Sequence, residues 1–181
     1  MTNQRTIGLV SDVHGNLPAL REVLIDMPEV DVLVNAGDVI GYGPQPEECA
    51  TILREKSDVS VLGNHDETLR TEDFYEPGDR YAYDVLSDEN RRWIEDLPRK
   101  ENVIDDRVKA AHGDPSGGFE YVRPGRFRED LLGDEDVLVL GHTHVQAKKE
   151  TASGTIVNPG SVGQPRDGDP DAAYAVLEVP S

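Results

Sequence analysis

Short apolar runs recur along the chain, each stopped by a cluster of Gly, Asp, Asn or His, and the stretches between them carry apolar residues at helical spacing. Residues 6–10 read as a buried strand ending in Ser11-Asp12-Val13-His14-Gly15-Asn16. Asn16 can cap the next helix, with Pro18 in its first turn and Leu17, Leu20, Val23 and Leu24 on one face. A second apolar strand, 30–34, ends in Asn35-Ala36-Gly37-Asp38; a Gly/Pro-rich loop over 39–46 then leads into a helix over 46–56. A third strand, 58–62, runs into Gly63-Asn64-His65-Asp66. Strand, helix, strand, helix predicts a largely parallel sheet, whose ligands gather beyond the carboxyl ends of the strands.

The pattern changes after residue 66. A charged stretch with one clear helix, 87–96, predicts a small helical insertion at about 67–98, and its Tyr75, Tyr81, Tyr83 and Trp93 read as packing residues rather than a ligand cage. Residues 102–104 and 107–111 predict a hairpin around Asp105-Asp106, the second strand delivering His112-Gly113-Asp114. Gly117-Gly118 and Pro124-Gly125 mark a loop before a short helix ending near Gly133. The apolar run 137–140 is a buried strand that stops at Gly141-His142-Thr143-His144; a second hairpin follows over 145–151 and 155–157. A glycine-rich loop, 158–163, and a closing strand, 172–179, complete the chain. The early half is parallel in style and the later half antiparallel. Together they predict one α/β domain over 1–181, two mixed sheets packed face to face with helices outside.

Charge changes this picture more than size does. Lys and Arg total 18 against 36 Asp and Glu, a net charge of −18 spread along the chain. Thirteen of the basic residues are Arg and five are Lys. The repeated Val/Ile/Leu strands argue for a folded domain with an acidic surface rather than disorder. A cytosol of very high salt suits such a surface, because a Debye length of about 3 Å at 1 M screens its self-repulsion. Cys49 is the only cysteine, which leaves no intramolecular disulfide or thiolate cluster, and it reads as a buried or half-buried helix residue. The polar start and the absence of a long apolar run predict a soluble, cytoplasmic protein.

All five histidines (His14, His65, His112, His142, His144) follow apolar segments and sit beside Gly, Asp, Asn or Thr. Five strand ends supply Asp12, His14, Asp38, Asn64, His112, His142 and His144, all oxygen or nitrogen donors. One hard or borderline divalent ion rarely needs seven such ligands, whereas two ions sharing a carboxylate do.

In their order, Asp12-x-His14, Gly37-Asp38, Gly63-Asn64-His65-Asp66, His112-Gly113 and Gly141-His142-Thr143-His144 resemble the calcineurin-like metallophosphoesterases. Ser11 to Asn16, Gly41-Tyr42-Gly43-Pro44 and Asn158-Pro159-Gly160-Ser161-Val162-Gly163-Gln164-Pro165-Arg166 are similar to the short prokaryotic phosphodiesterases of that superfamily. The resemblance implies a four-layer α/β/β/α sandwich and two divalent ions: manganese first, with iron, zinc, nickel or magnesium as alternatives. It assigns Asp12, His14, Asp38 and His144 to one ion and Asp38, Asn64, His112 and His142 to the other, with Asp38 bridging. It also gives His65 the catalytic, non-ligand role beside a metal-bridging hydroxide. Arg166 is a candidate phosphate contact, since a guanidinium reads phosphate bidentately.

One departure bears on the substrate. The larger phosphatases of the family carry Asp-Arg where this chain has Gly41-Tyr42, and that Asp orients the catalytic histidine; here the orienting partner of His65 is not identified. The expected activity is therefore hydrolysis of small phosphodiesters. Phosphomonoesterase, nuclease and a catalytically silent metal-binding module remain as alternatives. The absence of a basic patch or aromatic platform along the sequence weighs against nucleic acid. Self-association into a homo-oligomer is a further possibility that the family resemblance raises.

Overall fold

The computed structural model describes residues 4–104 and 106–180; Asp105, at the tip of the expected 102–111 hairpin, lies outside them. Elements in chain order are β1 (Gln4–Val10), α1 (Leu17–Asp26), β2 (Val32–Asn35), α2 (Pro46–Lys56), β3 (Val59–Ser60), α3 (Asn64–Thr71), α4 (Pro77–Val85), α5 (Asp88–Glu95), β4 (Lys100–Val103), β5 (Val108–Ala111), β6 (Val137–Leu140), β7 (Ala147–Glu150), β8 (Thr155–Asn158) and β9 (Ala175–Pro180). They form two mixed sheets, of order β3-β2-β1-β9 and β4-β5-β6-β8-β7.

Alternation along each strand builds the layers, because successive side chains point to opposite faces. Ile7, Leu9 and Val34 of the first sheet meet Val108, Val137, Val139 and Val157 of the second in a core between the sheets. Val10 and Leu33, on the opposite face, pack under Leu20, Val23 and Leu53 of α1 and α2. Leu138, Leu140 and Ile156 face outward from the second sheet onto Val122 and Phe127. Each fully buried aliphatic side chain contributes roughly 1.5–3 kcal/mol. Asn16 accepts from Ala19 N at 3.2 Å and donates to Gly163 O at 3.0 Å, so it caps α1 and ties the helix to the glycine-rich loop. Cys49 is fully buried, and burial pushes its thiol up to about 12, which makes it an inert packing group.

Four differences from the sequence reading have local causes. The third strand shrinks to two residues, because Leu62 N donates to Pro98 O and so leaves the ladder. Residues 64–95 form three short helices rather than one; α4 begins at Pro77 with Glu76 and Asp79 in a capping box. The expected helix near Gly133 is replaced by two 3-10 turns, Pro124–Arg126 and Glu129–Leu131, in a segment rich in Gly and Pro; the outer layer over the second sheet is correspondingly thin. The later half is not simply antiparallel either: β5, β6 and β8 run parallel, with β4 and β7 as antiparallel edges.

Candidate metal centre

The carboxyl ends of β1 and β2 meet those of β5 and β6, and two hydrogen bonds join the sheets there. His142 N donates to Asp12 Oδ2 at 3.1 Å, and His112 Nδ1 donates to Ala36 O at 2.7 Å. All of Asp12, His14, Asp38, His112, His142 and His144 are buried at this edge. Five of them have left-handed backbone, with φ of 53° at Asp12, 50° at His14, 57° at Asp38, 67° at His142 and 57° at His144. L-residues in that region cost about 1–3 kcal/mol each and persist where the surroundings hold them, commonly at functional sites.

Three imidazoles are fixed in the same way. His14 Nδ1 donates to Ile40 O at 2.8 Å, His112 Nδ1 to Ala36 O at 2.7 Å and His144 Nδ1 to Gln164 O at 2.6 Å. A proton on Nδ1 leaves Nε2 with a lone pair, the form that binds metal. Those Nε2 atoms converge: His14 to His144 is 3.1 Å, His144 to Asp12 Oδ1 is 3.2 Å and His112 to Asp38 Oδ2 is 3.1 Å. His14 Nε2 stands 3.8 Å from both Asp12 Oδ1 and Asp38 Oδ2, between the two carboxylates. Asp12 Oδ1 is buried without a well-formed hydrogen bond.

Asn64 Oδ1 lies 2.8 Å from His142 Nδ1, 3.2 Å from His112 Nε2 and 3.3 Å from Asp38 Oδ2. With oxygen inward the amide offers a donor atom for a cation; rotated, it offers the same acceptors its NH2. Donors converge within 4.8 Å in the sets Asp12/His14/His144 and Asp38/His112/His142, and this mix of imidazole, carboxylate and amide oxygen fits borderline divalent ions.

Electrostatics point the same way. Burial opposes charge on Asp12 and Asp38, yet the surrounding imidazoles hold both carboxyls below the usual range. Burial also opposes charge on His112, but the Asp38 carboxylate outweighs it and pushes the imidazole up to about 10, so a metal ion beside Asp38 has to displace the Nε2 proton before this imidazole can ligate. His14 and His142 are driven down to about 4, chiefly by burial, and are neutral near pH 7. Two ionised buried carboxylates need positive charge between them.

His65 belongs to the same cluster but is held differently. Its backbone N donates to Asp38 Oδ1 at 2.9 Å, and its Nδ1 lies 2.6 Å from Asp79 Oδ1. Asp79 is fully buried, with its other oxygen accepting from Tyr75 N and Glu76 N at 2.9 Å each. Burial would lower the His65 pKa, but the Asp79 hydrogen bond and the Asp38 charge raise it. A nitrogen of His65 also falls within 4.8 Å of donors from His14 and Asp38, although Asp79 engages its Nδ1.

Sequence reasoning missed Asp79 because it sits fourteen residues after His65 in the stretch of weakest pattern; the only signal was a capping box at Glu76-Pro77-Gly78-Asp79. Asp66, quoted in the motif but given no role, accepts from Asp38 N, Val39 N, Ile40 N and Gly63 N and so locks two site loops together. Burial and the Asp38 charge push its carboxyl up to about 7.

Arg166 is exposed at the rim. Its Nη2 donates to Gln164 Oε1 at 2.6 Å and to the Tyr42 hydroxyl at 3.3 Å, and the Tyr42 ring stands 4.8 Å from that of His14 and 5.0 Å from that of His65.

Two layered sheets with a histidine-and-carboxylate cluster at their shared edge define a metal-dependent phosphoesterase. The chain belongs to the calcineurin-like phosphoesterase superfamily, whose domain model matches residues 6–181. A crystal structure of a metallophosphoesterase from Sphaerobacter thermophilus superposes with a TM-score of 0.85 at 33% identity, covering 97% of this chain and 84% of that one. Phosphodiesterase YfcE of Escherichia coli is 29% identical over 180 residues, 93% of this chain and 84% of its own. An uncharacterized protein of Methanocaldococcus jannaschii is 29% identical over 200 residues, 95% of this chain and 82% of its own. Among the described residues no helix is long and apolar enough to cross a membrane.

Proposed function

We propose that this chain is a two-metal phosphodiesterase acting on small phosphodiesters. The observation that carries the reading is the shared anchoring of His14, His112 and His144, whose Nδ1–H groups are spent on backbone carbonyls while their Nε2 atoms converge on Asp12 and Asp38. One ion is assigned to Asp12, His14, Asp38 and His144, the other to Asp38, Asn64, His112 and His142. When bound, two divalent ions supply Lewis-acid polarisation of the phosphoryl oxygens and a nucleophile at neutral pH. Manganese is the first choice.

The chain's own residues do the rest. Asp38 and Asp12 balance the cationic charge, and Asp66 holds the Asp38 loop in register through its backbone N–H groups. His65, its Nδ1 directed by Asp79, keeps the other nitrogen for substrate, where it donates a proton to the ester leaving oxygen or a hydrogen bond to a phosphoryl oxygen. Arg166, steadied by Gln164 and Tyr42, offers its guanidinium to phosphate at the rim.

Asp79 also bears on the second reading, phosphomonoester hydrolysis. The preference for diesters rested partly on Gly41-Tyr42 standing in place of an orienting Asp, and Asp79 now supplies such a carboxylate from another segment. Turnover of bis(p-nitrophenyl) phosphate against p-nitrophenyl phosphate, with added manganese and then chelator, tests both. We expect diester turnover lost on chelation and two ions per chain by elemental analysis. Absence of turnover with every divalent metal, or turnover that survives chelation, refutes the proposal. Degradation of RNA or plasmid in the same assay would instead assign a nuclease.

A further inference from the structure

A cavity of about 350 Å³ opens beside the cluster, lined by Tyr42, Tyr75, Phe119 and Tyr121 together with His65, His142, Asn64 and Glu76. Four exposed tyrosines occur among the described residues, and three of them are here: Tyr42 is 39%, Tyr75 57% and Tyr121 47% exposed. Tyrosines packed for stability would be covered; these leave faces open around one hollow.

The walls are oriented. Tyr121 stacks on His142 with ring centroids 3.9 Å apart and 14° between planes, which fixes one aromatic plane against a proposed ligand. Tyr75 stands edge-on to His65 at 5.9 Å, and Tyr42 lies 5.0 Å from the same ring. Arginines accompany three walls, Arg99 with Phe119 at 4.5 Å, Arg123 with Tyr121 at 5.4 Å and Arg166 with Tyr42 at 5.8 Å. Arg99 shares its charge with Glu67, and Glu76 is the one carboxylate in the lining. In a chain of net charge −18 with thirteen arginines, this placement sets guanidinium groups at the rim, where they can meet a phosphate.

We propose that this cavity binds the organic arm of the substrate, and that the arm is a planar ring esterified to phosphate, of the nucleoside or aryl type. Aromatic faces offered edge and plane to a flat group, with guanidinium charge beside the phosphate, are the chemistry that recognises such a molecule. Which arm sits there rests on the phosphodiesterase reading: with His65 on the cavity wall, it is the leaving group. Binding itself does not rest on that reading.

The test is therefore a binding experiment. Titration calorimetry in magnesium and high potassium chloride compares AMP, phenyl phosphate and ribose 5-phosphate, with phosphate release followed in the same solutions. AMP, phenyl phosphate or both should bind about 10-fold or more tightly than ribose 5-phosphate, as stacking on an aromatic wall provides. Tyr75→Leu and Tyr121→Leu should each erode that ratio. Tight AMP with weak phenyl phosphate identifies a nucleobase, and the reverse an aryl group. Equal affinity for all three, binding of none, or a ratio unchanged in both variants overturns the proposal. Ring preference without turnover of bis(p-nitrophenyl) phosphate in the same metal solution refutes the phosphodiesterase alone; diester turnover without ring preference refutes the cavity assignment alone.

Discussion

The two sides of the site are built by different means. On the metal side, each proposed ligand sits within a few residues of a strand end, and the imidazoles of His14, His112 and His144 are pinned by backbone carbonyls of neighbouring strands or loops. On the substrate side, His65, Asp79 and Tyr75 come from the three-helix segment α3 to α5, and His65 is steered by a side chain rather than by the sheet. A donor set fixed by sheet geometry tolerates little movement, whereas a helical segment leaning over it can vary in what it presents. The comparison assigns metal retention to the first side and rate and selectivity to the second.

The largest expected effect breaks the metal side. Asp38→Asn replaces the carboxylate that we propose bridges the two ions, so we expect loss of both ions and of measurable turnover. Affinity should fall by more than the ~10–100-fold typical of losing an outer-shell partner. Elemental analysis after gel filtration checks this: two ions retained at near-native affinity would mean that Asp38 does not bridge.

Next in size is a double-mutant cycle on the substrate side. His65→Asn should keep both ions and lose about 10²–10⁴ in kcat. Asp79→Asn should keep both ions and lose on the order of 10²-fold, the scale of a catalytic group displaced by about 1 Å. The double variant should be no worse than His65→Asn, because Asp79 acts only through His65. Additive losses would show a separate role for Asp79, and a variant lacking one ion would make His65 a ligand. A nitrophenolate leaves without a proton, so its diester should suffer less from His65→Asn than an alkyl diester.

Two glycines sharpen the contrast at smaller cost. A Cβ at Gly63 would clash with the backbone N of Asp38, and one at Gly78 with the backbone O of Gly41. Neither neighbour is the end of a flexible side chain, so each alanine has to displace the chain, at about 1–3 kcal/mol of overpacking. Gly63→Ala should weaken metal binding. Gly78→Ala should lift the start of α4, and Asp79 with it, lowering kcat while both ions stay. Metal loss in Gly78→Ala would mean that the two sides are not separable.

That division also explains what could be read from the sequence. Asp12, His14, Asp38, His112, His142 and His144 were legible because apolar runs mark where strands stop, and the parallel arrangement sends those stops to one edge. The sheets followed from the same runs, while β3 was overestimated because Leu62, the last residue of its run, bonds to Pro98 in the loop before β4. Asp79 was illegible for a physical reason. A buried carboxylate is recognised by its partner, and that partner lies fourteen residues away across a helix break that no periodicity announces. Tyr75 was read as packing with its neighbours, yet only its position after α3 turns its ring toward His65.

The smallest expected effect concerns salt, and it too distinguishes the two sides. Residues 67–98 contain ten acids and four bases, a balance of −6 in 32 residues, against −12 in the other 149. Self-repulsion is therefore denser on the helical segment than on the sheets. Several of its ion pairs are surface ones, such as Arg80–Asp84 at 3.1 Å and Arg92–Asp88 at 3.9 Å, worth little individually. Raising potassium chloride from ~0.1 M to ~2 M shortens the Debye length from about 10 Å to below 3 Å and screens that repulsion. The melting midpoint should rise by several degrees, and amide exchange should slow more in α4 and α5 than in β6. If the midpoint stays flat or falls, the high-salt setting inferred from composition is wrong. If exchange slows equally in all three elements, the helical segment is not the part that salt holds in place, and the loss of His65-dependent rate at low salt that follows from its loosening would not occur.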